Sequence, residues 1–195
     1  RIVSPNLRRV SSSSTKITMP RLNCTPILRG QRISIKPSPL GWGMEKGVWD
    51  QDMIIRLDPG EEIHASIQDI MRDIGYHSGA ITSGIGRVRN VDIGYLADDG
   101  IYQRKFIHES VELLSLQGNV AELDGEPFTH IHVVVSDDDH VVHGGHLFSA
   151  VVEVTAEIHV RLIPINGELG ISLTRCHLEG SDFKPLNITS IGSEN

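Results

Sequence analysis

The chain has 195 residues, 39% of them apolar, which is enough for one domain with a buried core; no run approaches 18 consecutive apolar residues, so no helical membrane span is expected. The net charge of −7 is unevenly spread: residues 1–44 hold eight Arg or Lys and no acid, leaving 10 basic and 25 acidic side chains (net −15) in residues 45–195, which opposes duplex nucleic-acid binding by that region. Two cysteines, Cys24 and Cys176, are too few and too far apart for a disulfide framework or a cysteine-rich zinc site, and a reducing compartment is the simple reading.

Residues 1–44 read as a disordered tail or a transit peptide. Ser11 to Ser14 is low in complexity, and Pro5, Pro20, Pro26, Pro37 and Pro39 interrupt regular structure. An Arg-rich, Ser-rich, acid-free segment has the composition of an organellar leader. It would place the protein in a mitochondrion or plastid; without it, the expectation is cytoplasmic.

The folded domain is expected over 45–185. Met53 to Leu57 reads as a strand. Asp58-Pro59-Gly60-Glu61 predicts a helix start, with Asp58 as cap, Pro59 in the first helical position and Glu61 closing a capping box. Ile63, Ile67, Ile70, Met71 and Ile74 then form one apolar stripe of a helix over 60–74, stopped by Gly75. Residues 78–86 are glycine-rich and predict a strand and bend. Residues 87–96 predict a second strand, 102–107 a short one after the Asp98-Asp99-Gly100 turn, and 112–122 another. Asp124-Gly125 is a hairpin signal.

Half of the ten histidines fall in residues 126–146, EPFTHIHVVVSDDDHVVHGGH. Phe128 to Val135 has strand composition, so His130 and His132 project from one face, with Cα atoms roughly 6.5–7 Å apart. That spacing suits two imidazoles on one metal ion. After a polar turn at 136–139, Gly144-Gly145 lets the backbone make a sharp or unusual approach, and His146 follows. His140 and His143 are rival third ligands. Downstream, 151–163 alternates, with Val152, Val154, Ala156, Ile158, Val160 and Leu162 facing one way. Asn166-Gly167 turns into a strand at 171–174, and 186–195 is expected to be a flexible C-terminal tail. The class is α+β, with one early helix packed on a mostly antiparallel sheet of about seven strands.

Gly-Glu-Pro-Phe-Thr-His-Ile-His (125–132), the acidic turn and Gly-Gly-His-Leu (144–147) resemble the PPC (plants and prokaryotes conserved) domain. So do Pro59-Gly60-Glu61-Glu62-Ile63, residues 78–86 and residues 112–121; together these span about 45–185. The resemblance implies the same architecture, a homotrimer, and His130, His132 and His146 as the family's metal-site histidines. Plant relatives carry an AT-hook beside this domain, but Arg29-Gly30-Gln31-Arg32 lacks the proline of that motif, so the chain reads as the stand-alone type.

Zinc fits three imidazoles best, with copper or nickel also compatible. Glu126, just before the strand, is a candidate to support a ligand. The leading expectation is a metal-binding homotrimer with a regulatory or binding role, DNA-associated only through its family, with an unidentified small ligand at the metal. The alternative is a zinc-dependent hydrolase or lyase. That would need a general acid or base, for which Glu153, Glu157 and Asp137 to Asp139 are the candidates.

Overall fold

The computed structural model describes residues 45–49, 51–164 and 170–191. The basic segment 1–44 and the expected Asn166-Gly167 turn lie outside the described residues. In chain order the elements are β1 (Glu45–Trp49), β2 (Asp52–Leu57), α1 (Ile63–Asp73), β3 (Gly79–Leu96), β4 (Tyr102–Ile107), β5 (Val111–Leu123), β6 (Glu126–Ser136), β7 (Val142–Leu162), β8 (Gly170–Arg175) and β9 (Leu186–Ile191). The fold is α+β as expected, with nine strands rather than about seven among the described residues.

The helix starts later than the sequence predicts. Gly60 has φ +92°, outside the helical region, so Asp58 to Glu61 closes as a turn. The Glu61 amide donates to the Asp58 carbonyl at 3.2 Å, and the Asp58 amide donates to the Glu61 carboxylate at 2.7 Å. Glu62 is the actual cap, accepting from the Ala65 amide at 2.7 Å. At the other end Gly75 and Tyr76 donate to the Arg72 and Met71 carbonyls, which completes a Schellman stop. The stripe is placed as predicted: Ile63, Ile67, Ile70 and Met71 are buried, and Ile74 packs at the edge of the core. Each fully buried isoleucine contributes roughly 1.5–3 kcal/mol. That burial, against β6 and β7, fixes α1 beside the histidine strand.

Among the described residues every strand pairing is antiparallel except β5 with β8, and β3, β5, β6 and β7 pair in a closed cycle. Residues 79–96, read as two strands, form one. It lies between β5 and β7 and pairs with both, with register shifts between Ile81 and Ser83, Gly86 and Val88, and Arg89 and Ile93 that mark bulges along it. One such shift lies opposite Val154, which is exposed rather than aligned with buried Val152 and Ala156.

The expected loose tail is corrected over Leu186–Ile191. This stretch is a strand that pairs with β8 through six residues, and apolar and polar residues alternate over Leu186 to Thr189. The β8–β9 hairpin joins the rest of the sheet through a single parallel pair, Glu122 with Thr174.

Candidate metal centre

β6 and β7 bring three of the predicted histidines together. His130 and His132 leave β6 on the same side, and His146 on β7 is the direct cross-strand partner of His132. One ring nitrogen from each of the three lies within 4.8 Å of the others. The ring centroids are 4.9–5.5 Å apart. The two glycines before His146 give a close approach rather than a sharp turn. A Cβ on Gly145 would sit 2.8 Å from the Gly94 carbonyl oxygen, and one on Gly144 would sit 2.9 Å from that of Val133. Glycine there lets β7 lie tightly between its neighbours and sets His146 against His132.

The rival ligands are elsewhere. His143 hydrogen-bonds the Asp137 carboxylate at 3.0 Å, and His140 is an exposed turn residue with φ +61°. Glu126 does not support a ligand: its carboxylate is bound to Arg72 at 2.8 Å, because β6 begins beside the last turn of α1. The acid–base candidates also fall away from the cluster. Glu153 pairs with Arg89, Asp137 with His143, and Asp138 and Asp139 are exposed in the turn. Glu157 stands opposite Arg56 and Ile85 on the outer face of the sheet.

The electrostatics keep two of the three rings uncharged. Burial, reinforced by Arg175, His132 and His64, lowers His130 to about 4. Burial and the neighbouring His130, His132 and His64 lower His146 to about 3. Both are therefore neutral imidazoles near pH 7, as metal ligands must be. His146 Nδ1 is buried with no hydrogen-bond partner. A neutral imidazole with an unpartnered ring nitrogen, beside two other imidazoles, fits a divalent cation with imidazole ligands.

A cavity of about 410 Å³ opens beside His130 and His146. The residues that shape it were not legible as site residues. His64 of α1 lines it with its tautomer set: Nε2 donates to the Leu147 carbonyl at 3.1 Å, so Nδ1 accepts from the Thr129 hydroxyl at 2.6 Å. Gln68 donates to that same hydroxyl at 2.8 Å. Tyr102 stacks on His146 with centroids 4.8 Å apart, and Phe148 meets both rings edge-on. From β8, Arg175 Nη2 donates to His130 Nδ1 at 3.0 Å and to Asn119 Oδ1 at 2.8 Å. Position 64 falls off the apolar stripe of α1, and Arg175 lies 45 residues from His130, so no local pattern marks either.

The profile of the Plants and Prokaryotes Conserved (PCC) domain matches residues 44–164. A plant- and prokaryote-conserved (PPC) protein from Pyrococcus horikoshii is similar at 30% identity and TM-score 0.59, over 70% of this chain and 90% of its own. A metal-containing protein from Archaeoglobus fulgidus is similar at 35% identity and TM-score 0.60, over 70% of this chain and 92% of its own. A protein from Bacteroides thetaiotaomicron, provisionally described as DNA-binding, has TM-score 0.65 over 74% and 96% of the two chains; at 20% identity it shares the fold alone. No curated sequence matches closely enough to add to this.

Proposed function

The chain belongs to the Plants and Prokaryotes Conserved domain family, and from that premise we propose that it is a homotrimeric binding protein whose His130, His132 and His146 hold one zinc ion. The observation that carries the reading is the convergence of three ring nitrogens within 4.8 Å, two of them on rings kept neutral by burial. Three imidazoles suit zinc and leave one coordination position for an outside ligand. Bound zinc would supply a Lewis-acidic point there. The metal-containing relative from Archaeoglobus fulgidus supports the same reading.

The role is binding or regulatory, with no catalytic acid or base assigned, since the carboxylates expected to serve lie away from the cluster. Exposed Ile54 and Ile85 support self-association. Their register partners, His159 and Glu157, place them on the outer face of the sheet, away from the core. The 10 basic against 25 acidic side chains of residues 45–195 disfavour phosphate contacts by this region.

Elemental analysis of the purified chain, with light scattering on the same sample, tests the reading. About one zinc per chain and a mass three times that of the chain are expected. A metal-free chain that does not take up added zinc would overturn the metal, and a monomer would overturn the trimer.

A further inference from the structure

Arg175 is an anomaly in the cavity wall. It is 8% exposed, and its guanidinium has no carboxylate within ion-pairing distance among the described residues. Its hydrogen bonds go to neutral groups: the Lys184 carbonyl, Asn119 Oδ1 and His130 Nδ1. Its Nε is buried and has no partner at all. A buried cation without a counter-charge is costly, and one with an unpaired donor more so. The other charges do not repair this. Arg104 is committed to Asp92 and lies over the Phe148 ring, Lys184 adds a further positive charge, and Asp182 is the one carboxylate on the cavity wall among the described residues.

Beside the polar His64, Gln68 and Thr129, the wall carries four aromatic rings, Tyr102, Phe128, Phe148 and Phe183, with the Phe128 centroid 6.0 Å from the guanidinium carbon. Four flat rings and one unsatisfied guanidinium in the same cavity suit a ligand with a planar apolar body and a small oxyanion. A carboxylate suits the fork of a guanidinium and needs less hydration than a phosphate. We propose that this cavity binds a small aromatic or unsaturated carboxylate, with its carboxyl group on Arg175 and its body among the aromatic rings.

The proposal ties to the metal centre through one atom, and in that part it rests on the zinc reading. A neutral imidazole has one lone-pair nitrogen. In His130 that nitrogen is Nδ1, accepting from Arg175, so Nε2 carries the proton. His130 therefore takes a cation only when the Arg175 contact is released, through whichever nitrogen it binds. Releasing it frees Nη2 beside the already unpartnered Nε. Metal loading and carboxylate binding thus favour each other.

Titration calorimetry with benzoate, benzyl alcohol and inorganic phosphate, on zinc-loaded and chelator-treated chain, tests this. Benzoate is expected to bind at least tenfold tighter than the other two, and at least tenfold tighter with zinc than without. Arg175→Gln should erase the preference for benzoate over benzyl alcohol. Phe183→Ala, at a half-exposed wall position that leaves the core intact, should weaken benzoate at least threefold if Arg175→Gln does not fold. Equal binding of benzoate and benzyl alcohol, tighter binding of phosphate, no benzoate binding, or indifference to both variants would overturn the proposal and leave the zinc reading standing. A chain that takes no zinc fails the zinc reading alone; benzoate binding to it, lost in Arg175→Gln, still upholds the cavity.

Discussion

Replacing His130 and His132 together by alanine is expected to take the zinc content from about one per chain to below about a tenth. Two of three ligands are removed, and affinity should fall by roughly a thousandfold or more, about 4 kcal/mol. His132 is exposed and His130 sits at the cavity wall, so the apolar core under α1 is untouched. The double variant should therefore fold, melting slightly below the metal-free wild type because Arg175 loses its His130 acceptor. It should lose the stabilisation that added zinc gives, about 2.7 kcal/mol at a hundred times the dissociation constant. A variant that retains zinc and its thermal shift would place the metal elsewhere.

The second large effect is on acid stability. The metal-free chain is expected to lose about 2–3 kcal/mol of unfolding free energy between pH 7 and pH 4.5. His130 and His146 are held at about 4 and about 3 in the folded chain, against an ordinary value of 6.5 when unfolded. Below pH 6.5 the unfolded chain takes up protons that the folded one refuses. Stability is thus complete above 6.5 and falls as the pH drops toward 4. The undiscounted shifts would give about twice this loss, but both rings are partly open to solvent and part of the His146 shift comes from a charge on His130 itself. Urea midpoints across this range, compared with His130→Gln/His146→Gln, isolate the effect. The variant should show a flatter profile, and parallel profiles would mean that these rings are not held neutral by the fold.

The residues that the sequence made legible are those governed by short periods. The two-residue period placed His130 and His132 on one face, and the helical period placed the α1 stripe against the core. His146 was reachable because its hairpin is local, although the register that sets it opposite His132 depends on backbone spacing at Gly144 and Gly145 that residue type only hints at. Asp58 to Glu61 misled because Pro at a helix start and Pro at a tight turn look alike, and the φ of Gly60 decides between them. The 78–96 stretch was divided because glycines that permit bulges also mark strand ends. Leu186 to Thr189 carried a readable alternation that its position at the C-terminus masked. Arg175 was beyond reach: its significance comes from Asn119 and His130, 56 and 45 residues away, and from an absent counter-charge.

The β8–β9 hairpin has a consequence for how the cavity is entered. It carries Arg175 on β8 and Phe183 and Lys184 in the connection to β9, and its strands hold each other through six ladder pairs but hold the sheet through one, helped by the Leu173 amide on Ser78 Oγ and by Arg175 on Asn119 and His130. Such a unit can unlatch without disturbing the cycle of β3, β5, β6 and β7. Amide hydrogen exchange should therefore be faster where β8 meets β5 than where β6 meets β7. An occupant gripped by Arg175 should slow it, making the hairpin a clasp whose opening rate sets how long a ligand stays; identical exchange with and without ligand would mean the clasp plays no part in release.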